Sequence, residues 1–405
     1  MKSMNSWLLL SAMAFFCASF TAAENRLPTP RHEAATRYDG KFRRSPSTGL
    51  QQAYLPVLFA SSHAANLVKL QNGDMLCFWF SGIREGLSNV AIVVSRLRER
   101  SKRWGKPVEI DHQEGRSFQN PVPFQAPDGR LWLLHTSQPA GQWQMNAEVL
   151  YLTSDDNGKT WKGPLPLFTK HGAFVRQPLI PISAKSWLLP MYYTPSSGIT
   201  DGAESNYSAV QITNDGGTTW KECEVPQSSG LVQQSVVKLS TGQFLGFFRS
   251  RYADFIYSDT SNDGCTWTVP RPTHLPNNNS SIQAAILKDG SLVMAFNNVS
   301  AVVTRGKPQA GPRKPLSVAL SEDGGNTWPW VRDIETGNPN HETGSREENA
   351  RKGEEFSYPS ILQDADGNID VAFTYLRKTI KVVRFDKNWI KGGNTLGTFK
   401  DNQQQ

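Results

Sequence analysis

The sequence predicts an all-β fold, a six-bladed β-propeller, and three observations lead to this prediction. The first is a repeated motif, Ser/Thr-x-Asp-x-Gly-x-Thr-Trp, called the Asp box below. The second is its spacing, because the tryptophans that end the copies recur every 47 to 61 residues, which fits one four-stranded blade per repeat. The third is that no sustained helical periodicity lies between the copies. The motif occupies residues 154–161, 213–220 and 321–328, and a fourth copy at 260–267 has Asn262 in the Asp position.

The Asp box predicts a tight hairpin. Its Asp or Asn accepts backbone N–H bonds within the turn, its Gly takes a positive φ, and its Trp folds back as an apolar plug. Further hairpin turns are indicated by pairs such as Asn72-Gly73, which separate two apolar, β-rich runs. The other pairs of this kind are Asp128-Gly129, Thr241-Gly242, Asp289-Gly290 and Asp366-Gly367.

The predicted blades follow one another along the chain. A first blade is expected near residues 60–104 and a last one near 356–386, and closure of the ring leaves few exposed sheet edges. The polar segment 336–355 is expected to be an inserted loop. The propeller domain is placed at residues 51–390, between an N-terminal extension (24–50) and a C-terminal tail (391–405) that are both expected to be poorly ordered.

Residues 1–23 have the three-part layout of a secretory signal peptide. Lys2 precedes an apolar run at residues 7–16, and small residues follow as far as Ala23. The protein is therefore expected to be secreted or extracytoplasmic. The apolar run is shorter than the roughly 20 residues that span a bilayer, and no later segment is long and uncharged enough, so no membrane insertion is predicted.

Composition narrows the choice of partners. The chain of 405 residues has a formal net charge of +7, which moderately favours anionic partners. No dense run of Lys and Arg with interleaved aromatic residues indicates a nucleic-acid surface, so no nucleic-acid partner is predicted. Neither a phosphate-binding glycine loop nor a cluster with metal-ligand spacing is found, so no cofactor and no metal are predicted. Cys223 and Cys265 can pair only if the fold brings them together, and the sequence leaves the oligomeric state open.

Three segments carry a resemblance to a known family. Arg313 begins the run 313–320 that leads into an Asp box, Arg249 ends the run Phe247-Phe248-Arg249, and Tyr358 lies in the segment 356–362. With the Asp boxes, these segments resemble the sialidase (neuraminidase) superfamily, and especially its branch of Asp-box (BNR-repeat) proteins, over about residues 55–386. In that family arginines bind the substrate carboxylate, a Tyr paired with a Glu is the nucleophile, and an Asp is the general acid and base. The resemblance implies that Arg249 and Arg313 bind substrate and that Tyr358 is the nucleophile.

Three positions depart from the family pattern. Gln233 stands where the family has the Glu that accepts the proton of the tyrosine, and it is assigned to substrate binding. His63 stands where the first of the arginines would lie, and it is assigned a catalytic role. The loop 81–89, which should carry the Asp, has Glu85 as its only carboxylate, so Glu85 is the predicted proton donor.

Other polar residues near these segments have two interpretations. Arg84 either binds substrate or pairs with its neighbour Glu85. Glu354 or Glu355 could replace the missing Glu, but both are expected on a solvated loop. Three further arginines end apolar strands and either line the same cavity, as substrate-binding residues, or form structural contacts: Arg176, Arg251 and Arg377.

The resemblance and the residues together allow three functions, each with an acidic glycan as partner. The first is an exo-α-sialidase type of glycoside hydrolase that removes a terminal acidic sugar. The second is a polysaccharide lyase that acts on a uronic-acid glycan, in which His63 and Tyr358 move the protons. The third is a glycan-binding propeller without catalysis, which fold alone does not exclude.

Overall fold

A computed structural model describes residues 38–46, 48–142, 144–195, 203–301, 310–337 and 354–393. The predicted signal peptide lies outside these residues, as do residues 24–37 of the predicted extension, most of the predicted loop 336–355 and residues 394–405 of the predicted tail. The described chain begins with two short strands, β1 (Arg43–Arg44) and β2 (Gln51–Tyr54).

The strands that follow build three blades in chain order. Blade 1 contains β3 (Ser61–Lys69), β4 (Met75–Gly82), β5 (Ala91–Leu97) and β6 (Val108–Asp111). Blade 2 contains β7 (Arg116–Gln125), β8 (Leu131–Pro139), β9 (Glu148–Ser154) and β10 (Lys162–Phe168). Blade 3 contains β11 (Ala173–Val175), β12 (Ile180–Pro181), β13 (Trp187–Tyr193), β14 (Tyr207–Thr213) and β15 (Lys221–Glu224).

Three more blades complete the predicted number of six. Blade 4 contains β16 (Leu231–Lys238), β17 (Phe244–Ser250), β18 (Phe255–Ser261) and β19 (Arg271–Pro276). Blade 5 contains β20 (Gln283–Ile286), β21 (Leu292–Asn297), β22 (Leu316–Ser321) and β23 (Trp330–Glu335). Blade 6 contains β24 (Phe356–Gln363), β25 (Ile369–Tyr375) and β26 (Thr379–Phe385), and the helix α1 (Lys387–Lys391) follows it. The prediction of an all-β, six-bladed propeller is confirmed.

The ring closes through the start of the described chain. β2 pairs with β26, and β1 pairs with β2, so blade 6 takes its outer strands from residues that precede blade 1. Arg43 and Arg44 fall within the predicted extension, so the expectation of poor order is wrong for this part of it. The physical reason is that β1 pairs with β2, which in turn pairs with β26, so that backbone N–H and C=O groups of an otherwise open sheet edge are satisfied. No helix of the described residues is long and apolar enough to cross a membrane.

The Asp boxes form the predicted turns, and their tryptophans join neighbouring blades. The Asp156 carboxylate accepts hydrogen bonds from the backbone N–H groups of Lys159 and Thr160 and from the Thr160 hydroxyl. Trp161 of blade 2 packs edge-on against Phe78 of blade 1, with ring centroids 5.9 Å apart. The boxes follow the third strands and therefore lie at the end of the propeller opposite the starts of the inner strands.

The fourth copy of the box has a different register from the predicted one. Asp263, rather than Asn262, accepts bonds from the N–H groups of Cys265 and Thr266 and from the Ser261 hydroxyl. The prediction that Asn262 fills the Asp position is wrong because this box is one residue shorter between its Asp and its Gly. The shorter box places Cys265 against Cys223 of blade 3, and the two form a disulfide with Cα atoms 5.2 Å apart. The bond links blade 3 to blade 4.

Asp259 is a buried carboxyl inside blade 4. It is 3% exposed, and the Gln234 amide donates to its two oxygens at 2.9 and 3.1 Å. Burial raises the pKa of Asp259 to about 8. Because the proton is held more tightly in the folded state than in the unfolded state, this group lowers stability as pH rises from about 4 to about 8.

Asp259→Asn is therefore expected to stabilise the protein at pH 8 by about 2 to 4 kcal/mol and to have little effect near pH 4. Urea unfolding of the wild type and the variant at both pH values measures this difference. Asp155→Asn, which changes an exposed carboxylate paired with Arg130 and Lys162, is the control and should bring no gain. Equal unfolding midpoints for the wild type and Asp259→Asn at pH 8 would contradict the expected cost of the buried charge.

Candidate active site

The innermost strands of several blades share a β-bulge near the end that carries the site. The pairing shifts between His63 and Asn66 in β3, between Val232 and Ser235 in β16, and between Ser357 and Ser360 in β24. At these bulges Ala64, Gln233 and Tyr358 have φ values of 59°, 57° and 53°. A non-glycine residue in the left-handed region is strained, and bulges of this kind re-aim side chains. The bulges therefore set the side-chain directions of Gln233 and Tyr358, which are both predicted site residues.

Buried polar side chains fill the propeller axis beneath Tyr358. Arg176, from blade 3, is fully buried and donates to the carbonyl oxygens of Ala65, Tyr358 and Pro359 at 3.0 to 3.1 Å and to the Ser281 hydroxyl. Burial lowers the pKa of Arg176 to about 10. The structure thus gives Arg176, predicted to bind substrate, the contacts of a residue that holds the inner strands of blades 1 and 6 in place.

Amide side chains extend this buried layer around the axis. The Asn66 amide donates to the carbonyl oxygens of Pro121 and Arg176 at 2.8 and 2.9 Å. The Gln283 amide donates to the side-chain oxygens of Asn66 and Gln177. Buried polar groups that satisfy one another fix the relative positions of the strands that carry them. This layer of hydrogen-bonded side chains supports the backbone at Tyr358.

Tyr358 lies among arginines. Nη1 of Arg249 donates to the Tyr358 hydroxyl at 2.6 Å, and the guanidinium carbons of Arg249 and Arg313 lie 5.7 and 5.3 Å from the centre of its ring. Burial on its own raises the pKa of this phenol, but the positive charges of Arg249 and Arg313 outweigh burial and lower the pKa to about 8. A larger fraction of this phenol than of a free tyrosine is therefore ionised near neutral pH.

Gln233 connects Arg249 to a second tyrosine. Its side-chain oxygen accepts from Nη1 of Arg249 at 3.2 Å, and its amide donates to the Tyr192 hydroxyl at 3.3 Å. Nε of Arg249 donates to the Asn279 side chain at 2.8 Å. An amide cannot accept a proton as a carboxylate does, so Gln233 orients Arg249 rather than acting as a base.

His63 packs against the ring of Tyr358, with centroids 4.3 Å apart. It is 1% exposed, and its Nδ1 lies 2.7 Å from the Thr374 hydroxyl. Burial, together with the nearby charge of Arg377, holds its pKa well below the usual value. A neutral imidazole therefore occupies the place where the family pattern has an arginine.

Glu355 is the centre of an ion-pair network that the sequence did not reveal. It accepts from Nη1 of Arg313 at 2.6 Å, from Nε of Arg377 at 2.9 Å and from the Ser357 hydroxyl at 2.6 Å. Burial raises its pKa, but the positive charges of Arg313 and Arg377 hold the pKa well below the usual range. The expectation that Glu355 lies on a solvated loop is wrong, since its side chain is 18% exposed.

Glu85 belongs to the same network. Its carboxylate pairs with Nη1 of Arg377 at 2.8 Å, so its partner is Arg377 and not the neighbouring Arg84. Arg84 is exposed and forms no ion pair within the described part of the chain. Glu85 is near enough to Tyr358 for its negative charge to raise the pKa of the phenol, although the arginines prevail. The structure therefore brings Glu85 to the site and leaves Arg84 at its edge.

Arg251 completes the set of predicted residues. It follows β17 and lies two positions after Arg249, and its Nε is buried without a hydrogen-bond partner. Burial and the charge of Arg249 lower its pKa to about 10. Over the described ranges, no group of three or more His, Cys, Asp or Glu side chains is arranged to hold a metal ion.

Comparison with known proteins identifies the family. The family model for the BNR repeat-like domain matches residues 73–371, most of the chain. The chain belongs to this BNR repeat-like family. The predicted membership of the sialidase and BNR-repeat superfamily is confirmed, and the match spans blades 1 to 6. A search of curated proteins gives no match by sequence.

Several solved structures share the fold. The NanB sialidase from Streptococcus pneumoniae is 14% identical with a TM-score of 0.65, and the match covers 89% of this chain and 73% of that one. A protein of unknown function from Dyadobacter fermentans is 17% identical with a TM-score of 0.62, covering 82% and 97%. The intramolecular trans-sialidase from Ruminococcus gnavus is 13% identical with a TM-score of 0.63, covering 82% and 96%. At these identities the likeness establishes a sialidase-like fold.

Proposed function

We propose that the protein is a secreted glycosidase of the sialidase type that removes a terminal acidic sugar from a glycan. The observation that carries this proposal is the environment of the Tyr358 hydroxyl. It accepts a hydrogen bond from Arg249, and the charges of Arg249 and Arg313 lower its pKa. Guanidinium groups bind carboxylates through paired hydrogen bonds, so this cluster suits an acidic sugar. A structural relative, the Ruminococcus gnavus enzyme, forms a complex with oseltamivir carboxylate.

The proposed reaction has two steps. In the first, the ionised Tyr358 oxygen forms a bond to the anomeric carbon and the glycosidic C–O bond breaks, while Glu85, which has first taken a proton from solvent, gives that proton to the leaving oxygen. In the second, Glu85 takes a proton from a water molecule, the water oxygen bonds to the anomeric carbon, and the Tyr358 oxygen departs. A tyrosine nucleophile is the exception that sialidases make among glycosidases. Here the positive charges of Arg249 and Arg313 would offset the repulsion between the phenolate and the carboxylate of the sugar.

Activation of Tyr358 comes from charge. Its hydroxyl contacts Arg249, and Gln233 stands where a carboxylate would accept the proton. The positive field of the arginines lowers the pKa of the phenol instead, so that solvent can take the proton. Secretion is supported by the layout of residues 1–23 and by the Cys223–Cys265 disulfide, because such bonds persist mainly in oxidising compartments.

The rate is expected to rise with pH toward about 8, because the reactive form of Tyr358 is the phenolate, whose pKa is lowered to about 8. The measurement is kcat/KM between pH 5 and pH 9.5 on an acidic glycan that the enzyme turns over. The rising limb of this pH profile gives the pKa of the essential group in the free enzyme. A rate that falls steadily from pH 6 to pH 8 would contradict the activation of Tyr358 by arginines.

A second function is favoured by one observation, the position of neutral His63 against the Tyr358 ring. In a lyase acting on a uronic-acid glycan, arginines neutralise the carboxylate and so acidify the neighbouring C–H. His63 would take that proton, the Tyr358 hydroxyl would give one to the leaving oxygen, and a C=C bond would form in the sugar. The product would absorb near the ultraviolet edge.

One assay separates these functions. The full chain is incubated with sialylated and uronate-containing glycans, and free acidic sugar and ultraviolet absorbance are followed together. Free sugar without absorbance supports the hydrolase, whereas absorbance supports the lyase. Saturable binding with neither signal would overturn both and leave a glycan-binding propeller.

A further inference from the structure

Blade 3 contains a cavity that the proposed reaction does not use, called the blade 3 cavity below. One wall is formed by residues 204–207, where β14 begins, and the other by residues 224–229, which connect β15 to β16. The second wall leads directly into β16, and Gln233 of the candidate active site lies near the start of that strand. The blade 3 cavity therefore lies at the same end of the propeller as Tyr358.

Hydrogen bonds hold the two walls together. The backbone N–H of Gly230 donates to the carbonyl oxygen of Asn206 at 2.8 Å, and the Ser229 hydroxyl donates to the carbonyl oxygen of Glu204. A site that is already formed binds a ligand without the cost of ordering its walls. The volume of the cavity is about 300 Å³. Small-molecule sites span roughly 300 to 1,000 Å³, so this one has room for a single small ligand.

Asn206 has an unused side chain in this cavity. It lines the cavity and is only 6% exposed, yet its side-chain amide forms no hydrogen bond to any residue that the structure describes. An amide left unpaired in the interior lowers stability, and its nitrogen donates while its oxygen accepts. The side chain of Asn206 therefore offers a ligand both a donor and an acceptor.

Two carboxylates give the cavity a negative charge. Glu204 and Glu224 line it, neither forms an ion pair within the described ranges, and no Lys, Arg or His is among the described residues that line it. Lys170 lies 5.5 Å from the centre of the Tyr207 ring, but it is paired with Glu222 at 2.6 Å. The cavity would repel an acidic sugar, whereas the hydroxyl groups of a neutral sugar can donate to both carboxylates.

The cavity also has an apolar surface. Tyr207 is half-buried, with the Tyr193 ring stacked on it at 5.1 Å between centroids, and Val225 and Pro226 belong to the other wall. The C–H face of a sugar ring is apolar and can pack on an aromatic side chain. An organic amine would use the carboxylates and the tyrosine, but it would leave the amide donor of Asn206 without an acceptor. The combination of groups therefore favours a neutral sugar.

We propose that the blade 3 cavity is a second carbohydrate site, which binds one neutral sugar unit and is separate from the site at Tyr358. Hydroxyl groups of the sugar donate to Glu204 and Glu224, the Asn206 amide bonds to one further hydroxyl, and the C–H face packs on Tyr207. The two sites differ in charge, so the acidic and the neutral units of a glycan bind in different places.

Neutral methyl glycosides test this site without any turnover. The methyl glycosides of galactose, glucose, mannose and N-acetylglucosamine are each titrated into the full chain, and saturation-transfer NMR gives the affinity. The methyl glycoside of glucosamine, an amine, is titrated in parallel. The compared variants are Glu224→Ala, Glu224→Gln, Tyr358→Phe and Glu109→Ala. Glu109 is the matched control, because it is exposed in β6, the outermost strand of blade 1, as Glu224 is in the outermost strand of blade 3.

At least one neutral glycoside is expected to bind the wild type, Glu109→Ala and Tyr358→Phe with the same affinity. Glu224→Ala should weaken its binding at least about tenfold, and Glu224→Gln, which keeps an acceptor oxygen without the charge, should lie between. Unchanged affinity in a folded Glu224→Ala protein, or no binding of any neutral glycoside to the wild type, would overturn the proposal. Binding of the amine alone, lost equally in Glu224→Gln and Glu224→Ala, would overturn it in favour of a cation site.

The test is independent of the proposed function, because none of the neutral probes carries a carboxylate. If no acidic glycan is turned over while neutral sugar binding depends on Glu224, the second site stands and the glycosidase fails. If an acidic glycan is turned over and no neutral glycoside binds, the glycosidase stands and the second site fails. Neutral sugar binding that is lost in Tyr358→Phe and kept in Glu224→Ala would place the sugar in the candidate active site and overturn the proposal.

Discussion

Tyr358→Phe is expected to reduce turnover of the acidic glycan by a factor of about 1,000 or more, because loss of a nucleophile removes the covalent route entirely. The phenyl ring still fills the space against His63, so the fold should persist. Binding of the acidic sugar should change by less than about threefold, since the arginines remain. Initial rates and equilibrium binding of the same sugar measure the two effects.

Tyr192→Phe is the matched control. This tyrosine is buried near the site, stacks on Phe174 and accepts a hydrogen bond from Gln233, yet it has no part in the proposed bond changes. Its loss should reduce turnover far less than the loss of Tyr358. If Tyr358→Phe kept more than about a tenth of the wild-type rate, a drop well short of the loss expected for a nucleophile, Tyr358 could not be the nucleophile.

Arg249→Gln is expected to lower kcat/KM by about 100-fold or more at pH 7, because two contributions to the site are lost. One is a guanidinium that binds the carboxylate of the sugar in the proposed function. The other is the hydrogen bond and charge that lower the pKa of Tyr358. The pKa of the phenol should therefore rise, and the rising limb of the pH profile should move upward by at least about one unit.

Arg249→Lys refines this test. It keeps the charge, so the limb should move less than in Arg249→Gln, while the loss of the two-pronged donor still raises KM. Profiles of kcat/KM for the three proteins provide the comparison. If the rising limb of the pH profile had the same midpoint in the wild type and in Arg249→Gln, Arg249 would not set the pKa of Tyr358.

The repeat and the strand patterns were sufficient to predict the fold, because both are local. The Asp box needs only eight residues to form its turn, and its spacing gives the blade count. The closing strand β2 was harder to predict because its partner, β26, lies at the other end of the chain. The shortened fourth box was missed because its Asp is displaced by one position, from 262 to 263.

The site was predictable where a residue lies inside a recognisable strand, as Arg249 and Tyr358 do. It was not predictable where function depends on pairing between distant segments. Glu85 and Arg377 are 292 positions apart, and Glu355 is brought near His63 of blade 1 and Arg313 of the segment before β22 only by the fold. The left-handed backbone conformation at Tyr358 could not be predicted from the sequence either, because residues other than glycine seldom adopt it.

The most direct test of the account is whether Tyr358 becomes attached to the sugar. The full chain is incubated with fluorinated glycosyl fluorides of sialic and uronic acids, in which the ring fluorine slows the second step, and its peptides are analysed by mass spectrometry. The account predicts that one of these reagents adds the mass of the sugar to the peptide that contains Tyr358, and that Tyr358→Phe gains none. Turnover of the parent sugar with Tyr358 unlabelled, or with formation of the ultraviolet-absorbing product, would contradict it.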